Sequence, residues 1–250
     1  MITGIDHLVI AVASVEAAAA TLEQDLGLAI TGSGRHEAMG TYNRLAFLGD
    51  TYVELIGVFD AALVRTSPAF AVAGAAMDRL ASGHDGLATY ALATDDIDGD
   101  VARLQAAGSP IGEPVAGARR RTDGEQVRWF TAFPELGPER PPFLIEHDPT
   151  GAEWGPGARA ARAGFRHPVG GQVRLSTLQL PVTDAASVAE DYGSVLGMAF
   201  SEGWRMAIGE ACVVLREGAS EPVVELAVEP GTPPLDVVRF GVRWRRVIAS

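Results

Sequence analysis

The strongest constraint on this chain is a repeat. Residues 5–12 (IDHLVIAV) are apolar and β-branched on both faces, as a well-buried strand should be. Ser14 follows with the side chain of a helix N-cap, and the helix it opens closes thirteen residues later at Gly27, with Leu22 and Leu26 one turn apart. The same order recurs from Leu87 through Asp96 to Gly108, a cap-to-glycine separation of twelve, and from Leu175 through Asp184 to Gly197, again thirteen. After each helix, weaker strand signals close on an apolar strand that carries a glutamate: Glu54 in residues 52–56, Glu146 in 143–147 and Glu225 in 223–227. The predicted unit is strand, helix and about three strands, written three times.

A βαβββ sheet covers one face with its helix and needs a partner for the other. Pairing module one (3–58) with module two (87–148), through an alanine-rich helical connector at 59–86, gives a cupped, barrel-like sheet with a cleft, an α+β fold. Residues 149–172, rich in glycine and proline, read as a linker. The third βαβββ-like module, 173–250, is left without a partner. Either a second copy of the chain covers it, in a homodimer, or the tail from Val237 to Trp244 completes it.

Composition narrows what such a cleft can do. All 20 basic residues are arginine. Without a lysine amine there is no Schiff-base or pyridoxal-phosphate chemistry, no biotin or lipoate attachment and no P-loop. Thirty-two acidic residues bring the net charge to −12, which repels nucleic acid and anionic lipid. The single cysteine, Cys212, sits in an apolar run and reads as a small buried hydrophobe, in keeping with a reducing compartment. No stretch reaches the ~20 apolar residues that span a bilayer and the N-terminus has no signal-peptide pattern, so a cytoplasmic location is expected.

Paired βαβββ modules with a histidine on the first strand and a glutamate on the last resemble the vicinal oxygen chelate superfamily, which includes glyoxalase I, extradiol dioxygenases, methylmalonyl-CoA epimerase and bleomycin-resistance proteins. Within it the chain is most similar to an uncharacterised glyoxalase-like branch. The phrases that carry this likeness are residues 36–43 (HEAMGTYN), 52–56 (YVELI), 121–124 (RTDG) followed by Trp129, and 142–147 (PFLIEH).

The resemblance implies a divalent ion held by the first and last strands of both modules. Mapped onto this sequence the positions are His7, Glu54, Glu146 and a fourth at Thr89 or Ala88, neither an ordinary ligand; module three has Thr177 there. One imidazole and two carboxylates suit Mn²⁺, Fe²⁺, Ni²⁺, Zn²⁺ or Mg²⁺. Strand alternation lets His7 point into the cup with Val9 and Ala11, and Glu54 with Tyr52 and Ile56, whereas His147 falls opposite Glu146. His84, in a glycine-flanked loop, is expected at the surface. Glu225, in the place of Glu54 but with no histidine beside it, argues that module architecture alone can keep this glutamate. A metal-free polar cleft therefore stays open, with Arg44 or Arg128 partnering the buried carboxylates.

His36 and Asn43 either line the cleft and bond a substrate oxygen or belong to a solvated turn. The run Arg119 to Arg121 is a solvated loop, or one guanidinium grips an anionic substrate. His167 reads as structural. Two functions follow. One is a metal-dependent lyase or isomerase of glyoxalase type acting on a small oxygen-rich molecule, with Glu54 or Glu146 as general base; a dioxygenase fits the ligand set less well. The other is a bleomycin-resistance-like binding protein that sequesters a small molecule between walls such as Trp129, Phe47 and Tyr52.

Overall fold

The computed structural model describes residues 1–66, 70–135 and 139–249; residues 67–69 of the connector lie outside it. Module one comprises β1 (Ile2–Ala11), α1 (Val15–Leu26), β2 (Gly32–His36), β3 (Thr41–Leu48) and β4 (Thr51–Val58). Ser14 caps α1 by accepting from the Ala17 amide, and Gly27 ends it at φ 63. A side chain at Gly27 would also put its Cβ 2.9 Å from that of Val169, so glycine is required there twice over. The connector forms α2 (Ala61–Thr66) and α3 (Phe70–Ala81). Module two comprises β5 (Gly86–Thr94), α4 (Ile97–Ala106), β6 (Val115–Arg120), β7 (Gln126–Ala132) and β8 (Phe143–His147). Asp96 caps α4, and its left-handed glycine, Gly108, follows one residue after Ala107.

The two modules close into one barrel in the order β1-β4-β3-β2-β6-β7-β8-β5. In each, the first strand lies parallel to the last, and the modules join where β1 runs antiparallel to β5. The opposite seam is a single bridge, Arg35 to Arg120. The expected burial of β1 on both faces is met. Val9 and Ala11 pack inside the barrel with Ile56, Phe143 and Ile145, while Leu8 and Ile10 join an outer core with Leu22 and Leu26 of α1 and Val101 and Leu104 of α4. Helix α3 closes one end of the barrel through Ala73 and Ala76.

Residues 149–172 contain two short helices, α5 (Gly151–Trp154) and α6 (Pro156–Ala163). Trp154 packs on Leu45, Phe47, Tyr52 and Val127, so α5 closes the barrel end opposite α3. This segment connects the barrel to the third module and also plugs the barrel.

The third module runs β9 (Val173–Val182), α7 (Ala185–Leu196), β10 (Arg205–Ile208), β11 (Ala211–Glu217) and β12 (Val223–Val228), followed by the hairpin β13 (Asp236–Arg239) and β14 (Val242–Ile248). The tail does add to this module, giving a sheet in the order β10-β11-β9-β12-β14-β13. One expected equivalence fails. The strand parallel to β9 is β11, so β11 takes the place that β4 has beside β1; β12 is antiparallel to β9, as β5 is to β1. Glu225 is therefore not the counterpart of Glu54. It lies opposite Thr177, and its carboxylate accepts from Gln179 at 3.1 Å.

The second sheet shares the outer core with the barrel: Leu178, Leu180, Tyr192 and Trp244 pack in the same cluster as Leu8 and Tyr90. The Tyr90 and Tyr192 hydroxyls meet at 2.7 Å, and Ser109 Oγ donates to the Val195 carbonyl at 2.6 Å. His167 is structural, as expected. Its Nδ1 accepts from the Ala29 amide at 3.1 Å and its Nε2 donates to the Phe47 carbonyl at 2.9 Å, while burial lowers its pKa. No helix among the described residues is long and apolar enough to cross a membrane.

Candidate functional site

Between α3 and α5 the barrel holds a partly open cavity of about 60 Å³, space for a few waters or a small organic molecule. Which side chains reach it follows from strand alternation once the direction of one residue per strand is known. Along β4, Tyr52, Glu54 and Ile56 line the cavity while Val53 and Leu55 enter the outer core. Along β8 the lining residues are Phe143, Ile145 and His147, which sends Leu144 and Glu146 outward. His7, His36, Asn43 and Trp129 also line the cavity, as does Arg119 from β6. Arg119 is 5% exposed, so it does not belong to a solvated loop.

Asp6, Glu54, Asn43 and His147 are grouped around His7. Its Nδ1 lies 2.6 Å from Asp6 Oδ1 and its Nε2 lies 3.6 Å from Glu54 Oε2. The imidazole stacks on Tyr52 with centroids 4.5 Å apart, and the Phe143 ring meets it edge-on at 5.6 Å. Asp6 Oδ1 also accepts from His147 Nε2 at 3.2 Å. Adjacent residues on a regular strand point to opposite faces, but the pairing of β1 with β5 slips between Ile5 and His7, and at this irregularity the Asp6 carboxylate reaches both imidazoles. Burial disfavours the Asp6 anion; the charge of His147 and hydrogen bonds from His147 and His7 outweigh it, so the carboxyl is held well below its usual range and stays ionised.

Glu54 Oε1 accepts from Asn43 Nδ2 at 2.6 Å, and among the described residues Asn43 Oδ1 is buried without a partner. The expected arginines are engaged elsewhere: Arg44 pairs with Glu16 and Arg128 donates to Gln126. His36 Nδ1 contacts Thr41 Oγ1 at 2.9 Å, and its ring meets Trp129 edge-on. Burial first, then Arg119 and His7, pull the His36 pKa down to about 4 against the opposing Glu54 charge, so this imidazole is neutral at pH 7. Burial likewise raises the Tyr52 phenol well above its ordinary value.

A family model described as a glyoxalase-like domain matches residues 5–196, most of the chain. The chain belongs to the glyoxalase-like domain family. Solved structures share its fold. A hypothetical protein from Staphylococcus aureus superposes over 98% of this chain and 99% of its own, with TM-score 0.79 at 15% identity. A triple mutant of 4-hydroxymandelate synthase from Streptomyces coelicolor covers 92% of this chain and 72% of its own, with TM-score 0.53 at 16% identity. Methylmalonyl-CoA epimerase from Mycobacterium tuberculosis covers 60% of this chain and 90% of its own, with TM-score 0.43 at 20% identity. At these identities the likeness is one of fold. No curated protein sequence matches.

Of the metal set expected from the sequence resemblance, module one of the glyoxalase-like barrel brings His7 and Glu54 together, but module two does not complete the set. Glu146 lies on the outer face, where its Oε2 accepts from the Ile97 amide at 2.7 Å, at the first residue of α4. Thr89 does not line the cavity, and the residue paired with His7 across the seam is Ala91, packed against Val9 and Phe143. His84 is exposed. His147, the polar residue of β8 that does face inward, directs its Nε2 to Asp6. Among the described residues no three His, Cys, Asp or Glu side chains are placed to hold a metal ion. The donor set does not fit a protein-held metal, because module two presents Phe143, Ile145 and Ala91 where ligands would have to stand.

Four site residues were not legible beforehand. Asp6 depends on the β1 irregularity, and Glu153 and Trp154 enter from the linker. His147 lies opposite Glu146, as alternation requires, but alternation does not say which of two faces is the inner one.

Proposed function

We propose that modules one and two bind a small oxygen-bearing organic molecule in the barrel cavity and that His7 exchanges a proton with it, in an isomerase- or lyase-type reaction. The observation that carries this reading is the Asp6–His7 pair. Asp6, ionised and 2.6 Å from Nδ1, takes the Nδ1–H and so selects the tautomer whose Nε2 lone pair faces Glu54 and the cavity. A proton taken by Nε2 makes an imidazolium between Asp6 and Glu54, and the buried surroundings strengthen that stabilisation. Asn43 holds Glu54 in place, and its own Oδ1, without a partner among the described residues, is an acceptor for a ligand hydroxyl. Neutral His36 and the edge of Trp129 supply a second polar wall.

Passive sequestration is the second reading, favoured by the apolar walls Phe143, Ile145 and Val127. Proton NMR in D₂O separates the two. A panel of 2-oxo acids, hydroxyketones and hydroxy acids is incubated with the wild type and with His7→Gln, and binding is followed by tryptophan fluorescence. Wild type is expected to exchange the proton next to the carbonyl of at least one bound compound, and His7→Gln to lose that exchange while still binding. Equal exchange by both proteins for every bound compound would leave only sequestration.

A further inference from the structure

The buried Arg119 needs a counter-ion, and the group that supplies it comes from outside the barrel. Arg119 Nη1 donates to the Ser33 carbonyl at 2.9 Å, and Nη2 pairs with Glu153 Oε1 of α5. The other oxygen, Glu153 Oε2, lies 3.3 Å from Arg121 Nη1. Gly34 leaves room for this arrangement: a Cβ there would stand 2.7 Å from Arg119 Cδ. Glu153 also borders two spaces. On its inner side is the cavity; on its outer side is a cleft of about 310 Å³ lined by Arg44, Arg121 and Thr122. Its carboxylate thus stands in the wall between solvent and the cavity, shared by an inner and an outer arginine.

The element that carries it is short and bounded by glycines, and Arg162 Nη1 donates to its Glu153 carbonyl. Helix α5 is four residues long, starts at Gly151 with φ 87 and ends at Gly155 in extended backbone. Trp154 stacks on His147 at 3.8 Å, yet among the described residues Trp154 Nε1 and His147 Nδ1 are both buried without a partner. Unpaired buried polar atoms weaken the closed seam.

We propose that Glu153 is a placeholder for a ligand carboxylate. The ligand meets Arg121 in the outer cleft, α5 swings out, and the ligand carboxylate takes over Arg119 with the rest of the molecule in the cavity. This rests on the reading of the barrel cavity as a small-molecule site and narrows its ligands to small carboxylates. Arginine's fixed fork and permanent charge are the reasons to expect a carboxylate in place of a neutral carbonyl.

The test uses formate, acetate and benzoate against their neutral amides, with binding read from tryptophan fluorescence and backbone deuterium uptake across residues 148–156. Expected results are that the carboxylates bind and the amides do not, that benzoate raises deuterium uptake in α5 of the wild type, and that Glu153→Gln binds acetate and benzoate about tenfold tighter by losing the internal competitor. Adding Arg119→Gln should abolish that gain. Amides binding as well as carboxylates would overturn the placeholder while leaving the small-molecule site standing, and so would carboxylate binding with no change in α5. Absence of binding by either series, in wild type and variant, would overturn both. If Glu153→Gln does not fold, the wild-type measurements decide alone.

Discussion

Tyr90, on the outer face of β5, and Tyr192, in α7, carry the clearest test of how the third module is joined to the barrel. Both side chains are buried, their hydroxyls lie 2.7 Å apart, and among the described residues neither hydroxyl has another partner. Burial raises both phenol pKa values, so both are neutral across the working range and one simply donates to the other. Replacing one by phenylalanine strands the other hydroxyl in an apolar seam, which costs about 1–3 kcal/mol. Replacing both leaves two rings of nearly unchanged shape and no stranded group, which is close to neutral. Tyr90→Phe and Tyr192→Phe should therefore each lose about 2 kcal/mol, and the double variant less than either single. For a chain of this size each single loss lowers the thermal midpoint by roughly 4–8 °C. Calorimetry and urea unfolding measure the cycle, with far-ultraviolet dichroism and tryptophan fluorescence as separate probes. The buried Trp244 reports the second sheet and Trp154 the barrel. One coincident transition is expected, because the two units share a core. Losses that add in the double variant would refute the pairing, and singles that cost nothing would show that water reaches the hydroxyls and the seam is not dry.

Two further outcomes follow from the site. Asp6→Asn should cost about 2 kcal/mol at pH 7 by removing a charge-assisted hydrogen bond. Because the folded Asp6 pKa is depressed, its stabilisation is present above the ordinary carboxylate range and is lost as pH falls through the folded value, so the gap between wild type and variant should narrow from about pH 5 downward; urea unfolding showing a constant gap down to about pH 2 would sink this account. Glu146→Gln should lower stability by about 1 kcal/mol through the weakened bond to the Ile97 amide at the start of α4, and leave ligand binding unchanged. A binding defect in that variant, with normal thermal stability, would place Glu146 back inside the barrel.

By itself the sequence determined the module and much of the barrel. Period, caps and terminal glycines are local properties, so Ser14, Asp96 and Asp184 announce their helices and the strands before them read as buried on both faces. The inward direction of His7 and Glu54 was also legible, since alternation sets His7 with Val9 and Ala11 and Glu54 with Tyr52 and Ile56. For β8 the same reasoning stopped short. Alternation separates Glu146 from His147 but not inside from outside, and the α4 amide that draws Glu146 outward is 49 residues away in sequence. Asp6 enters the site through a slip in pairing with β5 that no local pattern records. Glu153 and Trp154 sit in a glycine-rich stretch with no periodicity, and they become part of the site only when the chain crosses the barrel end on its way to the third module. Tertiary structure alone decided which groups share the cavity, because burial and pairing between distant segments, unlike a cap or a turn, depend on where the whole chain returns.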